Sequence, residues 1–237
     1  MVIPGHKNID VRNILWVEPG GIKKVQSNSL NPLYYAREKN GKVLVKKRRL
    51  VTTGLNGMVI EWNLNTCLPK SKYNAHGAVW DSKVQGKFVF LASEDGSIKI
   101  VKIKKTKIEI IKMLTKSSTS CLSLALVEGH KPAKKQKESK SSKKDGSESE
   151  SDNVSDDELD VGGISFVFAG YADGTLKKWN VQSSNSVMHI EKQTAKETKK
   201  NGPCFIWKLR IFGQFLISGD SKGEDSVWDL NFGTLVK

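Results

Sequence analysis

Gly170-Tyr171-Ala172-Asp173-Gly174-Thr175-Leu176-Lys177-Lys178-Trp179-Asn180-Val181 is the stretch whose reading decides the fold. It reads as the end of a strand, a tight turn and a second strand. Asp173-Gly174 makes the turn, because glycine takes a positive φ without a Cβ clash and aspartate tolerates the neighbouring corner. From Thr175 to Val181 the residues alternate and close on a large aromatic, the habit of a half-buried strand.

The hairpin recurs. Its siblings are Thr53-Gly54-Leu55-Asn56-Gly57 running to Trp62-Asn63-Leu64, Ala92-Ser93-Glu94-Asp95-Gly96 running to Val101-Lys102-Ile103, and Ser218-Gly219-Asp220-Ser221-Lys222-Gly223 running to Trp228-Asp229-Leu230. In all four, the turn glycine (Gly57, Gly96, Gly174, Gly223) is followed five residues later by Trp62, Val101, Trp179 or Trp228. A polar and then an aliphatic residue come next. An apolar run precedes each turn, such as Phe88-Val89-Phe90-Leu91 and Phe215-Leu216-Ile217.

The turn glycines lie 39, 78 and 49 residues apart. Repeats of roughly 40–45 residues, each with four short strands and a Trp-Asp-like end, resemble the blades of a WD-repeat β-propeller. Trp228-Asp229 is a literal Trp-Asp pair, Trp62 and Trp179 are followed by asparagine, and the second repeat has Val101-Lys102 instead. Gly5-His6 and Ala75-His76 resemble the Gly-His that opens a blade. The alternative is a set of unrelated hairpins in another all-β fold, which leaves the shared offset unexplained. Gly57, Trp62, Gly96, Gly174, Trp179, Gly223, Trp228 and Asp229 are therefore assigned to blade architecture. Lys177 and Lys178 are left free by the pattern and open to function.

The expected fold is all-β: residues 1–237 as a partial WD propeller of about four blades, belonging to a larger, seven-bladed ring. Strands are labelled a to d from the axis outward. Val11 to Val17 is the first strand a, and residues 18–48 form an insertion between strands a and b of that blade. The second blade runs from Ala78 to Met113. The third opens at Ser120 to Val127, then leaves the pattern. Residues 128–162 hold seven lysines between Lys131 and Lys144, then eight acidic residues between Asp145 and Asp160. Such low apolar content cannot offset the entropy of ordering, so this insertion is read as disordered. The fourth blade begins at Cys204 and has only the beginning of a strand d at Gly233 to Val236. A ring with unclosed edges would expose unpaired strands, so further blades are expected on both sides.

Antiparallel order places the a–b and c–d connections on one face, and the b–c and d–a connections on the other. Both long insertions fall on the first face, which is the expected partner surface because loops carry function more often than strands. Lys46, Lys47, Arg48, Arg49, Lys104 and Lys105 on that face are candidate phosphate contacts; Lys196, Lys199 and Lys200 are candidates on the opposite face. Such contacts give salt-dependent, sequence-tolerant binding; the alternative is a solvated lysine surface. Ser147, Ser149 and Ser155 each stand three residues before an acid (Glu150, Asp152, Glu158), the spacing that suits an acid-directed kinase.

The chain carries 39 Lys and Arg against 25 Asp and Glu, a formal charge of +14 over 237 residues. That balance suits a polyanionic partner and bears on association rather than fold. Cys67, Cys121 and Cys204 are widely spaced, with no Cys-x-x-Cys pair to suggest a zinc ribbon or disulfide framework. No apolar run reaches membrane-spanning length, and Met1 to His6 lacks a signal-peptide core. His6, His76, His130 and His189 are scattered, and no metalloprotease, phosphate-loop or nucleophile-elbow motif occurs. Gly219-Asp220-Ser221-Lys222-Gly223 has the wrong spacing for a phosphate loop and sits in a hairpin. The reading is a non-enzymatic protein with no cofactor, no metal, no small-molecule substrate and no membrane partner.

Several details off the general repeat pattern resemble the cirhin family: Pro4-Gly5-His6, Gly54-Leu55-Asn56-Gly57 with Glu61, Val79-Trp80, Glu94-Asp95-Gly96-Ser97 with Lys107-Ile108, Ile206-Trp207 and Gly233-Thr234-Leu235-Val236-Lys237. The two a–b insertions and the missing first blade depart from it. The resemblance implies a scaffold subunit of the small-subunit processome in the nucleolus. Such a subunit engages the 5′ external transcribed spacer of pre-ribosomal RNA, directly or through neighbours, beside other propeller subunits. It supports pre-rRNA transcription and early 18S processing. The rival is a generic WD-repeat adaptor that binds a peptide in a chromatin or ubiquitin-ligase complex.

Overall fold

The structure is a computed structural model. It describes residues 11–17, 49–114, 116–129, 161–191, 202 and 204–237, together with the backbone alone of 34–39 and 42–47. Every regular element among these is a strand. The first sheet takes β1 (Val11–Val17), β4 (Arg49–Gly54), β5 (Met58–Asn63) and β6 (Leu68–Asn74) in that order; β2 (Tyr34–Lys39) and β3 (Lys42–Lys47) pair as a separate two-stranded ribbon. The second holds β7 (Val79–Gln85), β8 (Phe88–Ser93), β9 (Ile98–Ile103) and β10 (Ile108–Met113). The third holds β11 (Cys121–Glu128), β12 (Ile164–Tyr171), β13 (Thr175–Asn180) and β14 (Ser186–Glu191). The fourth holds β15 (Ile206–Phe212), β16 (Phe215–Asp220) and β17 (Asp225–Asp229), and its outer edge carries only the bridge Trp228–Leu235.

All four are antiparallel meanders of successive strands, as the repeat predicts. The b–c registers match across blades: Thr53 faces Val59, Ala92 faces Ile98, Gly170 faces Leu176 and Gly219 faces Asp225. Each turn is closed by the glycine N–H on the carbonyl three residues back, at Gly54, Ser93, Tyr171 and Asp220. Only the glycine of each turn has a positive φ (77°, 81°, 82° and 80°). Asp173 and its counterparts keep ordinary backbone angles and work through their side chains instead. Asp95 Oδ1 accepts from the N–H and hydroxyl of Ser97, and Asp173 Oδ1 from those of Thr175.

The Trp-Asp-like pair has two separate jobs. Each indole N–H donates to a hydroxyl on strand b: Trp62 to Thr52 at 2.8 Å, Trp228 to Ser218 at 2.9 Å and Trp179 to Tyr171 at 2.9 Å. In the third blade the position equivalent to Thr52 is Ala169, and the Tyr171 phenol supplies the acceptor instead. The polar residue that follows caps the c–d turn, where Asn63, Asn180 and Asp229 each accept two backbone N–H groups through Oδ1. At the pair position the second blade has Val101-Lys102, neither tryptophan nor Asx residue. It relies on aliphatic packing instead, with Val101 paired to Val89.

Sheets stack face to face, which explains the continuous apolar runs: a strand between two blades is buried on both sides. Every residue of β8 is buried. Val89 and Leu91 pack toward the first blade, with its Val17, Val51 and Val59. Phe88, Phe90 and Ala92 pack toward the third with Leu124, Val167 and Tyr171. A further cluster, including Phe168, Leu176, Leu209, Leu216 and Trp228, joins the third blade to the fourth.

Candidate interaction faces

The predicted basic face is partly within the described residues. Arg49, at the start of β4, does not stand free for a phosphate. Its guanidinium takes Glu61 in a two-pronged pair (2.6 and 2.5 Å) and donates to the carbonyls of Ile103, at 2.8 Å, and Lys104. It joins strand b of one blade to the c–d turn of the next. Glu61 is buried, and it also accepts from Lys70 at 2.9 Å and Ser71 at 3.0 Å. Burial raises its pKa, but Arg49, Lys70 and Ser71 outweigh that and hold the carboxyl below its usual range. Lys104 pairs with Glu109 at 2.7 Å, and Lys107 stands 3.5 Å from the same carboxylate. Lys105 lies in the same turn. Lys46 and Lys47 fall in β3, whose side chains lie outside the described residues. Arg48, Lys196, Lys199 and Lys200 lie outside them altogether, as do Ser147, Ser149 and Ser155 and nearly all of the 128–162 insertion.

The two lysines that the repeat pattern leaves free have structural work. Lys177 Nζ donates to Ser117 at 2.8 Å and lies 5.1 Å from the Tyr171 ring centre. Lys178 Nζ donates to the Leu230 carbonyl at 3.3 Å and covers the Phe166 ring at 4.6 Å. Lys99 occupies the same repeat position as Lys177. It is buried and reaches Ala75 O at 2.6 Å, Ser93 Oγ at 3.0 Å and Asp95 at 3.1 Å. An alternating strand gives no sign of a buried lysine; only the neighbouring blade's carbonyl explains it.

The opposite face, with its b–c turns and d–a connections, carries an unexpected regularity. Each innermost strand breaks register at its second residue: between Val11 and Asn13, Val79 and Asp81, Cys121 and Ser123, and Ile206 and Lys208. A bulge leaves one residue unpaired and re-aims its side chain. The residues so placed are Arg12, Trp80, Leu122 and Trp207. Those just after them link blades: Asp81 accepts from the Leu124 N–H at 3.0 Å and from Lys83 at 2.7 Å, and Ser123 donates to Ile206 O at 2.9 Å. The sequence signal was an aliphatic-tryptophan pair at the start of two inner strands, Val79-Trp80 and Ile206-Trp207.

Among the described residues, no group of three or more His, Cys, Asp or Glu is placed to hold a metal ion. Burial pushes the thiol of Cys121 far up, the opposite of what a reactive cysteine requires.

The repeated four-stranded meander, the glycine turns and the tryptophan-to-hydroxyl bonds define a WD-repeat β-propeller chain. No family model matches it. It is 24% identical over 196 residues to the human U3 small nucleolar RNA-associated protein 4 homolog, covering 80% of this chain and 23% of the relative. It is 25% identical to the mouse homolog over the same length, and 25% identical over 193 residues to the protein of that name from Schizosaccharomyces pombe, 79% of this chain and 22% of that one. These relatives are of the cirhin type that the sequence resembles. The chain spans under a quarter of their length. In structure it is similar to the computationally designed Ika4 protein (TM-score 0.52, 15% identity, 78% of this chain and 88% of that one). It is also similar to the designed Ika8 protein (TM-score 0.53, 14% identity, 88% and 59%). At such identity these likenesses show the fold alone.

Proposed function

We propose that the chain is a non-enzymatic scaffold subunit in ribosome biogenesis, working in the small-subunit processome of the nucleolus. There it supports binding of the 5′ external transcribed spacer of nascent pre-rRNA, pre-rRNA transcription and early 18S processing. The observation that carries this is the alignment with three relatives named for association with U3 small nucleolar RNA, which runs through four-fifths of the chain. The formal charge of +14 suits an RNA-rich assembly. Its partners are other propeller subunits, and pre-rRNA either directly or through them.

We further propose that these blades form part of a larger, seven-bladed ring. Support comes from the repeat itself: four antiparallel sheets that stack face to face as propeller blades do. Localisation of the tagged full-length protein tests the functional reading: nucleolar concentration is expected, and exclusion from nucleoli would overturn it in favour of a peptide-binding adaptor elsewhere.

A further inference from the structure

Trp207 presents an aromatic surface that the fold supports and leaves open. Phe205 meets its ring edge-on (5.7 Å between centres, 71°), and Trp80 meets it tilted (6.2 Å, 54°). Held from two sides, Trp207 is still 39% exposed. Arg12 lies 5.6 Å over Trp80 and donates to its carbonyl at 3.4 Å. Three blades thus contribute to one cluster, through bulges that each re-aim a side chain. The Trp80 indole N–H is buried there and has no acceptor among the described residues.

The charges around the rings select the ligand. Arg12 is exposed, and so is Lys208, which approaches Asp81 at 4.0 Å. Asp81, which follows Trp80, is engaged by Lys83 and the Leu124 N–H. Open rings beside Arg12 and Lys208, with Asp81 already paired to Lys83, disfavour a cationic peptide side chain. An acidic peptide would meet the cations and leave the rings unused. A single-stranded nucleic acid uses both, its bases stacking on aromatic faces and its phosphates meeting arginine and lysine.

We infer that the cluster of Arg12, Trp80, Phe205 and Trp207 is a stacking platform for an unpaired RNA segment, on the face opposite the Arg49–Lys104 junction. The choice of RNA as the polymer rests on the ribosome-biogenesis reading; the platform itself rests on geometry. The connection that carries Lys196, Lys199 and Lys200 leads in sequence directly into Phe205 and Trp207.

The test is titration of the full-length protein with a short fluorescein-labelled oligouridine, in parallel with a duplex RNA and an arginine-rich peptide. The oligouridine should quench tryptophan fluorescence. Trp207→Ala should weaken its binding about tenfold or more, the loss of one base stack, without changing the salt dependence. Trp207→Phe, which keeps a ring, should bind within about threefold of wild type. Arg12→Gln should lower the salt slope by about 0.7, one phosphate contact on a single strand. Thermal melts check that the variants fold, and quenching in the unmodified protein tests the platform without any variant. Unchanged oligouridine affinity in a folded Trp207→Ala, equal preference for duplex, or quenching by the peptide alone would each overturn the platform. Purifying wild type and Trp207→Ala from cells separates the two ideas. If both recover processome subunits while the oligouridine results fail, only the platform falls. If wild type recovers none, the ribosome-biogenesis reading falls.

Discussion

Gly96 has no room for a methyl group. Its φ is 81°, and a Cβ there would run into the backbone carbonyls of Ser117 and Thr119 in the connection to the next blade. Alanine at Gly96 should cost the left-handed penalty of about 1–2 kcal/mol and about 1–3 kcal/mol more, because backbone must move. Urea denaturation of the variant beside wild type measures the loss. Asp95 gives a second prediction. Burial raises its pKa, but the Ser97 hydroxyl and N–H and the Lys99 ammonium outweigh it, taking the carboxyl from 3.8 to about 2. A carboxyl that titrates lower when folded stabilises fully above its unfolded value, near pH ~4. The contribution is then lost as pH falls through the folded value of about 2. Asp95→Asn should be less stable at neutral pH and should lose less stability across that window, read by denaturation at a series of acid pH values. The turn glycines and tryptophans were legible because local geometry demands them. Tyr171 and Lys99 were not, because their roles depend on a small residue at position 169 and on a carbonyl from another blade.

Among the elements, the link between β4 and the c–d turn of the second blade rests on Arg49. Removing it leaves Glu61, 1% exposed, with only Lys70 and Ser71. Arg49→Ala should cost about 3 kcal/mol, the lower end for breaking a buried pair. Hydrogen exchange should show the loss first in Ile103 to Lys107. Strand positions could be read from the sequence to within one or two residues, since a period of two is set by the pleat and ends are set by glycine turns. The β2–β3 ribbon inside the 18–48 insertion was not anticipated, although Asn40-Gly41 between two strand-like runs is a hairpin signal. The inner-strand bulges left only an indirect trace, the pairs Val79-Trp80 and Ile206-Trp207. A one-residue slip leaves composition unchanged and is imposed by the neighbouring strand, so Trp80 and Trp207 stood out as family-like residues without a visible task.

On the scale of the molecule, fold and function stand on different footings. Stacked sheets buried on both faces follow from apolar runs and a fixed offset. What the propeller joins is proposed from its relatives and its charge, because a repeat architecture reuses one blade for many partners. The predicted basic face and the aromatic cluster lie at opposite ends of the inner strands, so the two surfaces can be tested apart. Affinity purification of the full-length protein, with mass spectrometry of what accompanies it, tests the central claim most directly. The account predicts small-subunit processome proteins, other propeller subunits among them, together with U3 small nucleolar RNA. Recovery of chromatin or ubiquitin-ligase components without a single processome subunit would contradict it.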